Sequence, residues 1–193
     1  MDLTKGTKLE KEQRAKKTMM WFAMISMTMT FAGLTSAYVV SKSRADWVSD
    51  LVFPNAFVVS AFVMVLSSAC LYFVKKAIDH QNRMRSTVLL VATFLLGLLF
   101  VYLQFEGFRD IINQGYYFTG PSANIVPTFL YIIVVVHIVH VIIGLVVLLV
   151  VIYNHFKQKY QRGQTLGLEL GAMYWHFVDV LWVYLFLFLY FVR

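Results

Sequence analysis

The chain has little cysteine, proline or acid: one Cys, three Pro and 10 Asp plus Glu among 193 residues. The lone thiol, Cys70, excludes an internal disulfide, a zinc ribbon, an iron–sulfur site and a two-cysteine copper centre built from this chain alone. Cys70 falls inside an apolar run and reads as a small buried apolar residue. Period-two alternation is missing as well, which sets β-barrels aside. No connection between apolar runs exceeds 18 residues, so no soluble domain is expected. The shortage of acid leaves a formal charge of +7. Its Lys and Arg cluster between apolar runs rather than on an interleaved basic and aromatic surface, so nucleic acid is not the expected partner.

Apolar residues are what the chain has in excess: 60% hydrophobic and 17% aromatic, with a mean hydropathy of +0.69. Crossing roughly 30 Å of hydrocarbon takes about 20 apolar residues at 1.5 Å each. Five runs qualify, at about 19–40, 54–74, 86–108, 127–153 and 168–192. Pro54, Gly120-Pro121 and Pro127 punctuate the gaps. The expected fold class is all-α, a polytopic membrane protein with a single five-helix domain over 19–193. Residues 1–18, MDLTKGTKLEKEQRAKKT, read as a retained cytoplasmic tail rather than a signal peptide, solvated in the first reading and a short amphipathic helix on an anionic membrane surface as the alternative. No inverted repeat of the transporter kind is visible.

Direction follows from the basic residues. With the N-terminus inside, the inner side holds Lys5, Lys8, Lys11, Arg14, Lys16, Lys17, Lys75, Lys76, Arg83, Arg85, Lys157, Lys159 and Arg162. The outer side holds Lys42, Arg44, Arg109 and Arg193. Thirteen against four predicts a cytoplasmic N-terminus and an outer C-terminus.

Ionisable residues inside such spans need partners, because a charged Asp at the bilayer centre costs about 2.5–3.5 kcal/mol on insertion scales. His137 and His140 stand three apart in "VVVHIVHVIIG", on one helical face that Gly144 keeps narrow. "YWHFVDVLWVYLF" places His176 and Asp179 three apart on the last span, with Trp175 and Trp182 in an overlapping stripe. His140 lies 13 residues from Tyr153 and Asp179 lies 11 from Leu168, so the two pairs sit at similar depth on helices joined by a short loop. A polar seam of His137, His140, His176, Asp179, Trp175 and Trp182, holding the two helices together, is the expected arrangement. Three imidazoles and a carboxylate also fit a metal site, which leaves open an autonomous metal- or proton-handling membrane protein. Glu106 and Arg109 are expected to form an interfacial i,i+3 ion pair. Glu169 suits the positive end of the last helix, while His80 and His155 are expected to face water. The hydroxyl-rich first span, with Ser26, Thr28, Thr30, Thr35 and Ser36, suggests helix packing.

"YWHFVDVLWVYLF" resembles the C-terminal signature of subunit III of the haem-copper oxidases. "HIVHVIIGL" at 137–145, "LLGLLFVYLQFEGF" at 95–108 and "FAGLTSAYVV" at 31–40 look like earlier helices of that family, in order. The resemblance implies an accessory subunit without its own redox cofactor, in a bacterial inner membrane, beside oxidase subunits I and II that hold haem and copper. It implies support of proton uptake, stabilisation of the catalytic subunit, bound phospholipid and a place in a larger respiratory supercomplex. The donor implied is cytochrome c, with a quinol oxidase as the alternative. The family's catalytic subunit takes six histidines for its haems and copper, and this chain has five. Two departures are visible: the family's longer form has seven helices, and Met27 stands where the family often carries a buried glutamate.

Overall fold

The computed structural model describes residues 7–44, 47, 51–120, 124–160 and 165–192. Residues 1–6 of the expected tail, Arg162 and Arg193 of the charge count, and Pro121 of the turn signals lie outside the described residues. Five helices follow one another: α1 Lys8–Val40, α2 Asn55–Asp79, α3 Arg83–Asn113, α4 Ile125–Phe156 and α5 Leu166–Val192, with a 3-10 turn at Ser41–Ser43 after α1. Among the described residues there is no strand. All five are long and apolar enough to cross a membrane. Even the 25-residue α2 reaches ~37 Å, past the ~30 Å hydrocarbon core.

The helices outrun the apolar stretches because helix ends are set by capping and propensity rather than by hydropathy. At the start of α1, Thr7 and Glu10 form a reciprocal capping box, with the Thr7 N–H donating to Glu10 Oε2 at 2.9 Å and the Glu10 N–H donating to Thr7 Oγ1 at 3.4 Å. The Lys, Glu, Gln, Arg and Ala that follow are strong helix formers. Residues 8–18, expected as solvated tail, are therefore the first turns of α1.

Three helices stop alike. After α2 the Asn82 N–H donates to Ala77 O at 2.9 Å and Gln81 N–H to Ile78 O at 2.9 Å, with Gln81 left-handed at φ 56°. The same pair of bonds ends α3 around Gly115 (φ 86°) and α4 around Gln158 (φ 59°). These are Schellman caps, which satisfy orphan carbonyls and reverse the chain. Asn82 also caps α3, accepting from the Arg85 N–H at 3.2 Å, so α2 and α3 meet in a tight hairpin.

Helices α2, α3, α4 and α5 pack in chain order, and α5 closes the ring against α2. Helix α1 stands outside this ring, against α4 and α5. The ring is filled by aromatics: Phe57, Phe100, Trp175 and Trp182 are all essentially inaccessible. Gly97 and Gly107 on α3 make that possible. A Cβ on Gly97 would lie 2.7 Å from the Trp175 ring, and one on Gly107 would collide with Phe57. Outside the ring, Phe62, Leu95, Val146 and Phe191 point outward, a surface suited to acyl chains rather than water. The hydroxyls of α1 turn back on their own helix, Thr28 to Met24 O at 2.9 Å, Thr30 to Ser26 O at 3.1 Å and Thr35 to Phe31 O at 2.9 Å. They bend to the backbone, so their hydroxyls are satisfied within α1.

Candidate functional site

Three consecutive residues of α5 tie it to two neighbours. The Tyr174 hydroxyl donates to the His140 carbonyl of α4 at 3.0 Å. The Trp175 indole N–H donates to Ser67 Oγ of α2 at 2.9 Å. His176 Nδ1 and Ser68 Oγ of α2 lie 2.6 Å apart. In hydrocarbon such bonds have no competing water, yet each is worth only ~0.6 kcal/mol on average because the separated helices also find partners.

His137 is fully buried and stacked on Trp182, ring centroids 5.0 Å apart at 28°, with Phe100 and Phe31 meeting it edge-on at 5.8 and 6.2 Å. Neither of its ring nitrogens has a hydrogen-bond partner. His140 faces α1, its ring 5.6 Å from that of Phe31. Its Nδ1 lies 2.7 Å from the Val136 carbonyl one turn back; a carbonyl only accepts, so Nδ1 carries the proton and Nε2 is free to accept.

Asp179 is 3% exposed and lies on the α2–α5 side, in a groove of about 560 Å³ shared with Val65, Ser68, Val183 and Leu187. The Ser68 hydroxyl in that groove is engaged by His176, and neither carboxylate oxygen has a hydrogen bond of good geometry. Gln104 and the Trp182 indole N–H are likewise buried without partners.

His137, His140, His176 and Asp179 therefore do not form the single α4–α5 seam that their spacing suggests. A step of three residues leaves the second side chain about 60° round the helix from the first, enough to address a different neighbour. Helix α5 is turned so that Trp175 and Trp182 fill the ring, while His176 goes to α2. The Trp175 and Tyr174 rings occupy the space beside Gly144, 3.0 and 3.2 Å from where its Cβ would be. Gly144 does admit α5, but it admits tryptophan and tyrosine instead of a histidine partner. Among the described residues no group of three or more His, Cys, Asp or Glu comes together, so these four side chains do not offer one ligand set.

At the helix ends, Arg109 Nη1 lies 3.0 Å from Glu106 Oε1. At the opposite end Glu169 joins three helices: Lys17 Nζ of α1 at 2.9 Å, Lys75 Nζ of α2 at 3.0 Å, and the Thr165 hydroxyl before α5 at 3.1 Å. Glu169 thus ties α1 and α2 to the first turn of α5, where a carboxylate also suits the helix dipole. His155 Nε2 pairs with Thr87 Oγ1 of α3 at 3.0 Å instead of facing water, while His80 is exposed. Sequence reasoning missed Ser67, Ser68, Lys17 and Lys75. The Ser67-Ser68 pair, a polar dipeptide centred in an apolar run, was the available signal; the lysines carried none beyond charge.

A family profile for cytochrome c oxidase subunit III matches residues 17–193. The chain belongs to the cytochrome c oxidase subunit III family. Relatives carry two descriptions. The cytochrome bo(3) ubiquinol oxidase subunit 3 of Buchnera aphidicola subsp. Baizongia pistaciae (strain Bp) is 29% identical over 178 residues, 88% of this chain and 88% of its own length. That of Buchnera aphidicola subsp. Acyrthosiphon pisum (strain APS) is 25% identical over 174 residues, 89% of this chain and 83% of its own. The cytochrome c oxidase subunit 3 of Thermostichus vulcanus is 29% identical over 177 residues, 86% of this chain and 82% of its own. The subunit III resemblance drawn from the α5 and α4 motifs is thus family membership, and the chain is a membrane-spanning subunit of the haem-copper oxidase class.

Proposed function

We propose that the chain is accessory subunit III of a proton-pumping terminal oxidase in a bacterial inner membrane, with its N-terminus on the cytoplasmic side. It works beside subunits I and II, which hold the haem and copper, and it carries no redox centre itself. It stabilises the catalytic subunit and supports proton uptake from the cytoplasmic side, in contact with membrane lipid. Within the family, one observation carries the non-catalytic role: the polar side chains at mid-membrane meet different neighbours, with His137 caged by aromatics, His140 on its own backbone, and His176 and Asp179 turned toward α2 on either side of Ser68. Dispersed groups lock helices against one another; a shared cofactor would need them convergent. Met27, a thioether at the place where the resemblance expects a carboxyl, cannot relay a proton, which favours packing over conduction within the chain.

The donor is cytochrome c in this reading, in line with the family description. The breadth of the match to the two Buchnera ubiquinol oxidase subunits, 88% and 89% of the chain, supports quinol as the second reading. Affinity purification through a tag on this chain tests both levels. A haem-bearing complex that oxidises reduced cytochrome c supports the first reading, and one that oxidises only ubiquinol supports the second. A preparation without haem-bearing partners contradicts the accessory role.

A further inference from the structure

The α2–α5 contact carries an order that helix packing alone does not use. Lys75 of α2 pairs with Glu169 of α5 at 3.0 Å, and Ser68 of α2 meets His176 of α5 at 2.6 Å. Both helices advance two turns, or ~10 Å, between these pairs, in opposite directions along the chain. About one turn further along α5, Asp179 comes to the other side of the same Ser68 hydroxyl, in the apolar groove. A line of paired polar groups thus ends at mid-membrane on a buried carboxyl. Carboxyls kept in the membrane at the expense of stability mark proton relays.

Ser68 stands between an acid and a base. A serine hydroxyl has one proton and two lone pairs, so it donates to one neighbour while accepting from the other. Two arrangements therefore satisfy all three groups. In the first, the Asp179 carboxylic acid donates to Ser68 Oγ, Ser68 donates to His176 Nδ1, and the imidazole carries its proton on Nε2. In the second, the Asp179 carboxylate accepts from Ser68, Ser68 accepts from His176 Nδ1–H, and Nε2 is bare. Going from the first to the second moves the Asp179 proton to Ser68 and the Ser68 proton to Nδ1, and releases the proton on Nε2. The two ends of this chain face different surroundings: Asp179 is 3% exposed inside the groove, whereas His176 is half-buried and does not line it.

We propose that Asp179, Ser68 and His176 form a proton-exchange site, in which a proton taken up at Asp179 passes through the Ser68 hydroxyl to His176 Nδ1 and one proton leaves from His176 Nε2. The His176 tautomer reverses with each transfer. The ionisable groups on the helices packed against α5 are engaged elsewhere. From α4, His137 is stacked on Trp182 and His140 lies on the Val136 carbonyl. Lys17 of α1 and Lys75 of α2 are both held by Glu169, and the Tyr184 phenol shares the groove. The two turns between the Lys75–Glu169 and Ser68–His176 pairs are apolar at Leu71, Ala172 and Met173. The site therefore exchanges protons locally and does not conduct them across the chain, in keeping with the thioether at Met27.

The test reads the protons and not turnover, so its failure is distinct from failure of the accessory role. Infrared difference spectra are recorded on the intact complex, purified through the tagged full chain, as the pH is stepped. Two bands are followed. One is the carbonyl stretch of protonated Asp179, assigned by its loss in Asp179→Asn. The other is the imidazole ring band that separates the Nδ1–H and Nε2–H tautomers of His176, assigned by its loss in His176→Gln. The expected result is that both bands change together with a shared midpoint, and that Ser68→Ala leaves the Asp179 titration in place while abolishing the His176 change. An Asp179 band that titrates while the His176 band stays constant overturns the proposal, as does an Asp179 that never titrates while the complex stays assembled. Coupled changes that persist in Ser68→Ala also contradict it, because the link is then electrostatic and not a relay. Where a variant fails to assemble, carboxyl-labelled aspartate and ring-labelled histidine identify the two bands in the unsubstituted complex, and the absence of a coincident pair there overturns the proposal.

Discussion

The two sides of α5 are built on opposite rules. Toward α3 and α4 the helix presents Trp175 and Trp182, sealed against Gly97, Phe100 and His137 with no space left over. Toward α2 it presents His176 and Asp179, one hydrogen-bonded to Ser68 and the other left in a groove. Both sides bury polar atoms, so burial alone does not separate them. What separates them is shape: aromatic rings fill the first side, and the small Ser68 leaves the second side open. The sealed side holds the ring of helices together, and the open side holds a buried carboxyl beside the Ser68 hydroxyl that His176 also engages.

The largest expected effect comes from breaking the sealed side. Trp175→Ala removes the ring between α3 and α4 together with its bond to Ser67, and should cost about 3–5 kcal/mol, read as a loss of thermal stability in detergent. Adding one methyl there should also be costly. Gly97→Ala puts a Cβ 2.7 Å from the Trp175 ring and 2.8 Å from Leu145, an overpacking worth about 1–3 kcal/mol. The open side should respond with the opposite sign. Asp179→Leu removes a buried carboxyl that lacks a well-formed hydrogen bond from mid-membrane and should stabilise the isolated chain by about 1–2 kcal/mol. If the same unfolding assay shows Asp179→Leu as damaging as Trp175→Ala, the distinction between the sides is wrong. Smallest is the clamp at the helix ends. Glu169→Gln loses two ion pairs to partly exposed lysines and should cost about 1 kcal/mol at low salt, shrinking as salt is added.

The same contrast explains what was legible in the sequence. Five apolar runs gave five helices because length and hydropathy are properties of a segment alone. The ends were harder, since the Thr7 capping box carried α1 through a stretch too polar to read as a span, and Gln81 and Gln158 took left-handed turns usually assigned to glycine. That His137, His140, His176 and Asp179 were buried or half-buried at mid-helix could be read from position. Which neighbour each one met could not, because spacing fixes two side chains relative to each other and says nothing of how the helix is rotated in the bundle. That rotation is set by the fit of Trp175 and Trp182 beside Gly97, Gly144, Phe57, Phe100 and His137 on other helices, and pairwise fits of that kind leave no local pattern. The C-terminal motif succeeded where spacing failed, because it carried the family rather than the geometry.

The central claim is that α5 and its neighbours hold helices together and do not hold a redox centre. Metal and haem analysis of this chain, separated from its partners in detergent and verified as helical by circular dichroism, tests it most directly. The account predicts haem and copper in the intact complex and neither in the separated, folded chain. Stoichiometric haem or metal that stays with the separated chain and is lost on His140→Ala would contradict it.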